Sequence, residues 1–128
     1  QDESLAAEQL RLGLTYRDMG MIEDAIQSLE LASRSARQRF EAASVLGRLQ
    51  ADRGDRAAAL EWFEKAAEAP APTVEAGRAL LYDLASVLED LGDVGRALAV
   101  FSELQADARG FRDVPARIER LSRARVRG

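Results

Sequence analysis

Cysteine, histidine and asparagine are absent from the 128 residues. Without Cys there is no disulfide framework and no thiolate nucleophile or ligand. Without His there is no imidazole metal site and no general base poised near neutral pH. Ile occurs at three positions (Ile22, Ile26, Ile118) and Thr at two (Thr15, Thr73), so β-branched strand formers are scarce. No apolar run approaches the length of a membrane span, and no signal peptide is visible. Lys65 is the single Lys against 17 Arg, a skew that points to a GC-rich coding genome.

What remains is helix-forming. Ala is the commonest residue, and Ala, Leu, Glu and Arg dominate the chain. An all-α fold follows. At this length one domain with a core of its own is expected. Apolar residues are 47% and charged residues 31%, the balance of a soluble globular chain rather than a disordered one. A cytoplasmic location is expected. The chain opens at Gln1 rather than Met, which suits a piece of a longer protein.

The net charge of −4 hides a division. Residues 1–108 carry 11 basic and 20 acidic side chains; residues 109–128 carry seven basic and two acidic. An acidic body thus ends in an arginine-rich segment.

An internal period is present. Gly13 and Gly47 are 34 residues apart, as are Gly20 and Gly54, Ala25 and Ala59, Leu29 and Phe63, and Ala32 and Ala66. A third copy places Leu84-Ala85, Leu88, Gly92, Ala97 and Phe101 in the same roles. It is shifted by four residues, which fit near Pro70-Ala71-Pro72-Thr73 or as an added turn of the next helix. Each copy has two amphipathic stretches joined at a Gly, with a small residue on the second. The expected helices are near 4–18, 22–35, 38–52, 56–69, 74–90 and 94–107. Gly20, Gly54 and Gly92 should end the first helix of each pair. Asp55 and Asp93 should cap the second helices of the later pairs. A seventh helix is expected after Asp113, which can cap it, with Pro115 in its first turn. Its stripe would be Val114, Ile118 and Leu121. Leu12, Tyr16, Leu29, Leu46, Phe63, Leu84, Leu88 and Phe101 should fill the seams between helices.

This pattern resembles the tetratricopeptide repeat, a 34-residue motif with Leu-Gly and Tyr on its first helix and Ala and Phe on its second. The carrying residues are Leu12-Gly13, Tyr16, Gly20, Ala25 and Leu29, then Leu46-Gly47, Gly54, Ala59 and Phe63, then the third copy above. Gln50 and Leu88 stand where the motif has Tyr, and Ala85 where it has Gly. The resemblance implies a single domain over 1–128. Its repeats would lie near 6–39, 40–73 and 78–111, with a capping helix near 113–125. The fold would be a right-handed α-α superhelix of three helix pairs plus that cap.

The resemblance also implies a non-catalytic scaffold that takes a peptide or helix of a protein partner in a concave groove. A bacterial assembly, motility or secretion protein is the expected context. Groove positions carried over from the motif are Leu10, Leu14 and Arg17, then Ser44 and Arg48, then Tyr82, Ser86 and Glu89. Members that clamp a terminal carboxylate use Lys and Asn there. Leu10 and Leu14 stand at those positions, so that class is disfavoured.

No catalytic set can be assembled. Glu23-Asp24 and Glu89-Asp90 are adjacent on helices and point about 100° apart. The glycines are scattered singly rather than gathered into a phosphate loop. No metal, cofactor or small-molecule substrate is expected. Two other uses are open to the chain. Trp62, beside the core Phe63, would mark a self-association surface if turned outward. The arginines of 109–128 could meet anionic lipid or nucleic acid, but Phe111 is the only aromatic among them. A simpler use is docking of this segment onto the acidic last repeats.

Overall fold

The computed structural model describes residues 3–127. These form seven α-helices: α1 (Glu3–Asp18), α2 (Ile22–Ala32), α3 (Arg39–Asp52), α4 (Arg56–Ala67), α5 (Val74–Asp90), α6 (Val94–Asp107) and α7 (Val114–Arg127). Helices α1 and α2, α3 and α4, and α5 and α6 pair, and α7 packs along α6. The fold is all-α, three helix pairs and a seventh helix, as the period requires.

Two helices stop short of expectation. α2 ends at Ala32 rather than near 35, and α4 at Ala67 rather than near 69. In both, the final turn tightens. Arg34 and Ser35 donate three residues back, to Leu31 and Ala32, and Ala69 donates to Ala66. Beyond α2, Arg39 closes the connection. Its Nε donates to the Ser33 carbonyl and its Nη2 to the Arg34 carbonyl, both at 2.9 Å.

The chain divides into two compact units at Pro72/Thr73, inside the segment where the third copy falls out of step. The first unit holds α1–α4 and the second α5–α7.

One turn recurs in all three pairs. Gly20, Gly54 and Gly92 have φ of 77°, 83° and 84°, a left-handed conformation that costs a side-chain-bearing residue energy. The next residue in each case donates back across the turn. Met21 N–H bonds the Tyr16 carbonyl at 2.8 Å, Asp55 that of Gln50 at 2.9 Å and Asp93 that of Leu88 at 2.9 Å. These are the long-reach bonds of a glycine-terminated helix end. The residue after the second and third glycines then caps. The Asp55 carboxylate accepts from Ala58 N–H at 3.1 Å and that of Asp93 from Arg96 N–H at 3.2 Å. Thr73 does the same for α5, accepting from Ala76 N–H at 3.0 Å.

Close approach within each pair rests on small residues. A Cβ built on Gly13 would stand 2.6 Å from Leu29 Cγ, and one on Gly47 would collide with the Phe63 ring. Opposite them Ala25 and Ala59 are wholly buried. The core of the first unit gathers Leu10, Ile26, Leu29, Val45, Leu46 and Leu49, with Tyr16 and Trp62 packed against it. Trp62 is half-buried against this core, and the Lys65 ammonium lies 4.5 Å from its ring centroid.

Leu12 departs from expectation: it is 36% exposed, whereas Leu46 and Leu84, its counterparts in the later copies, are buried. α3 packs against both α2 and α4, while α1 packs extensively on α2 alone. The side of α1 that carries Leu12 lacks the second neighbour that covers Leu46.

Candidate functional site

The eight positions carried over from the repeat motif have three different fates. In the first unit Leu10 and Ser44 are 8% and 5% exposed, so neither offers a surface to a partner. Leu10 belongs to the core. The Ser44 hydroxyl has no hydrogen-bond partner among the described residues. These two are corrections to the expected groove. Their cause is helix geometry: both lie on the side of the first helix that turns toward the packed interior.

Leu14, Arg17 and Arg48 remain at the surface of the first unit. Leu14 is half-buried against the core and presents its remaining area outward. Arg17, one turn further along α1, pairs with Asp18 at 3.0 Å. Arg48 is exposed on α3, one period after Leu14, and so holds the same register on its own first helix. Elsewhere in this unit an open cleft of about 550 Å³ lies between the start of α1 and the end of α2. Leu5, Ala6, Leu31 and Arg34 line it, and Ser35 at its edge donates to Glu3 at 3.0 Å.

In the second unit the fate is different again, because α7 engages the positions expected to be free. Glu89 of α5 is held by two guanidinium groups. Arg117 Nη1 donates to its Oε1 at 2.6 Å, and Arg120 Nη2 to its Oε2 at 2.5 Å. The Glu89 side chain is 18% exposed and that of Arg117 19%, so this pair is poorly screened by solvent. Tyr82 of α5 donates its hydroxyl proton to Asp113 and accepts from Arg117 Nη2 at 3.2 Å. Arg117 Nε donates in turn to Asp113 at 3.1 Å. One arginine thus bonds Glu89, Asp113 and Tyr82 together.

Asp113 was expected to cap α7. It supplies its backbone carbonyl to Arg117 N–H at 3.0 Å, but its carboxylate is taken by Tyr82 and Arg117.

Aromatic faces complete the arrangement. Tyr82 meets Phe101 of α6 and Phe111 edge-on, at centroid distances of 5.8 and 6.3 Å. Arg112 lies 4.9 Å from both the Tyr82 and Phe111 rings, and Arg117 lies 5.3 Å from those of Tyr82 and Phe101. Such cation–ring contacts strengthen when desolvated.

The titration of these groups follows from the contacts. Burial, then the hydrogen bond to Asp113, pushes the Tyr82 phenol above its ordinary value. The Tyr82 hydroxyl, helped by Arg117, holds the Asp113 carboxyl below the usual carboxylate range. Burial works against the charge of Arg117, but its hydrogen bond to Asp113 and the surrounding negative groups outweigh that and raise its pKa.

The basic segment therefore docks on an acidic residue of the last repeat, the use that its charge suggested. Position-by-position transfer of the motif missed this. The signal was present as a charge contrast but lacked an address, since Glu89 and Arg117 are 28 residues apart. Ser86, the eighth position, has a buried hydroxyl with no partner among the described residues.

No group of three potential metal-ligating side chains occurs among the described residues. No helix among them is long and apolar enough to cross a membrane.

Comparison with known proteins agrees with this architecture. A tetratricopeptide repeat family model matches residues 9–39, which span α1, the Gly20 turn and α2. The crystal structure of MamA is similar over 94% of this chain and 68% of that one, with a TM-score of 0.75 and 23% sequence identity. At that identity the likeness concerns the fold. No curated protein matches this sequence significantly. Tetratricopeptide repeats generally mediate protein–protein interaction. The matched copy, two further helix pairs built on the same small-residue approach and the shared fold together give the chain the architecture of tetratricopeptide repeats.

Proposed function

We propose that the chain is a non-catalytic scaffold that holds a peptide or helix of a partner protein on the first-helix surfaces of its first unit. The docking residues are Leu14, Arg17 and Arg48. One observation carries this reading. Leu14 and Arg48 hold the same register one period apart on the first helices of successive pairs: Leu14 is half-buried with Arg17 one turn further along α1, and Arg48 is exposed on α3. Arg is a favoured anchor at interfaces, and an apolar patch among cations suits a segment carrying both apolar and acidic side chains.

Selection from a random peptide library tests this. Peptides mixing Asp or Glu with Leu or Phe are expected to be enriched. Their affinity should fall about tenfold or more in an Arg17→Glu, Arg48→Glu double variant, as expected when each of two charged anchors costs at least ~1 kcal/mol. Circular dichroism should be unchanged. Equal affinity in the folded double variant would remove these arginines from the site.

A further inference from the structure

α7 is attached differently from every other first helix. Its apolar positions follow those of α5 at the repeat period: Leu80 and Val114, Leu84 and Ile118, and Val87 and Leu121 are each 34 residues apart. By register it is the first helix of a further repeat. Yet Glu119 stands where the earlier copies have Gly13, Gly47 and Ala85. It is exposed and paired with Arg123 at 2.9 Å, so a charge occupies the notch that a second helix fills elsewhere.

Among the described residues, α7 packs substantially on α6 alone, and only Val114 and Leu121 of its side chains are buried. Its hold on α5 is made of charge: Arg117 and Arg120 on Glu89. The connection before it holds Gly110 at φ 75° and Arg112 at φ 47°, the only described non-glycine residue with positive φ. The left-handed conformation costs energy at Arg112, which carries a side chain.

A helix held on one side, by a short apolar stripe and two arginines, is a template for what its docking face accepts. We propose that the α5–α6 face beneath α7 is an exchangeable helix-docking site. Its partner would be a basic amphipathic helix with apolar residues at i, i+4 and i+7 and arginines at i+3 and i+6, the spacing of Val114, Ile118, Leu121, Arg117 and Arg120. The partner's arginines take Glu89 and stack on Tyr82, and α7 is displaced. This site is separate from the Leu14–Arg48 surface and does not depend on that assignment.

A fluorescent synthetic peptide with the sequence of residues 109–127, titrated against the full chain, tests the proposal. A chain carrying Arg117→Glu and Arg120→Glu can no longer occupy Glu89 with its own α7. It should bind the peptide about tenfold more tightly than the parent, because the self-occupied fraction no longer lowers the apparent affinity. Adding Glu89→Arg to that variant should abolish binding. No binding by the folded double variant, or equal binding of a scrambled peptide of the same charge, would overturn the proposal.

Amide hydrogen exchange on the unmodified chain decides the matter even if the variants do not fold. Saturating peptide should speed exchange across residues 114–127 and leave α1–α4 unchanged. Unchanged exchange in α7 would make it a fixed cap. Dimerisation of the parent chain by mutual exchange of α7, seen in light scattering, would make a second copy the occupant and overturn the foreign-helix assignment.

Discussion

The two units solve the same packing problem with different materials. In the first, α1–α4 are joined by notches, Gly13 against Leu29 and Gly47 against Phe63, over a core of aliphatic side chains. The second has Ala85 at the notch, and its last helix is held by arginines, carboxylates and ring faces. Apolar interlock is strong, indifferent to salt and intolerant of added volume. Charge pairing of half-buried groups is directional, sensitive to pH and costly to break from one side only. The first unit leaves its carried-over arginines at the surface. The second has turned the matching positions inward upon itself.

The largest effect should come from filling a notch. Gly47→Ala places a methyl group in the Phe63 ring and should lower stability by ~1–3 kcal/mol, the usual cost of overpacking. Ala85→Gly, the reverse change at the matching position, makes no clash and should cost about 1–2 kcal/mol, from helix propensity and the loss of one buried methyl group. Urea denaturation of both variants measures the contrast. Equal losses would mean that the two notches are not distinct.

Next comes Glu89→Gln, which removes the negative charge and one of the two acceptor oxygens that Arg117 and Arg120 share. A loss of ~1–3 kcal/mol is expected, reflecting hydrogen bonds to charged groups in a poorly screened place. The control is Arg53→Gln in the first unit, which removes an exposed pair with Glu23 at 2.9 Å and should cost less than about 1 kcal/mol. If the two changes cost the same, charge is no more important to the second unit than to the first.

Acid and alkali should separate the units further. The Asp113 carboxyl is held low, so its contribution is complete above the ordinary carboxylate range and is lost as pH falls through its lowered value. The Tyr82 phenol is held high, so its contribution is complete below its ordinary value and fades as pH rises through the raised one. Amide exchange in α7 should quicken at both extremes before that of α1 and α2. Loosening of all seven helices together would count against a local network.

The smallest effect is expected at the two buried hydroxyls that have no partner among the described residues. Ser44→Ala and Ser86→Ala each remove a buried polar atom that lacks a hydrogen bond and should be neutral or stabilising by less than about 1 kcal/mol in thermal melts. A loss at either position would show that its hydroxyl has a bonded role.

Much of the fold was legible because its signals are local. A glycine that must adopt positive φ, an Asp that caps three residues on, and a small residue repeating at 34 each report on a few neighbouring atoms. Gly54, Asp55 and Ala59 therefore behave as their sequence implies. Leu12 and Leu10 do not, because exposure depends on which helices stand beside a residue. A repeat assigns Leu12 and Leu46 one role while α1 and α3 have different neighbours. The docking of α7 was legible as a sum of charges and illegible as a set of pairs. Arg117 is one of seven arginines in its segment, and only the fold decides which of them meets Glu89.

The glycine notches have a mechanical consequence. A bulky side chain seated in a gap one residue wide acts as a detent. It stops one helix from sliding along its neighbour, since any axial slip drives Leu29 or Phe63 into a backbone that carries a side chain. The spacing between surface residues on paired helices is thereby indexed like the graduations of a ruler. Within each pair, α1 with α2 and α3 with α4, those marks cannot drift, and a single methyl group in a notch would throw that pair out of calibration.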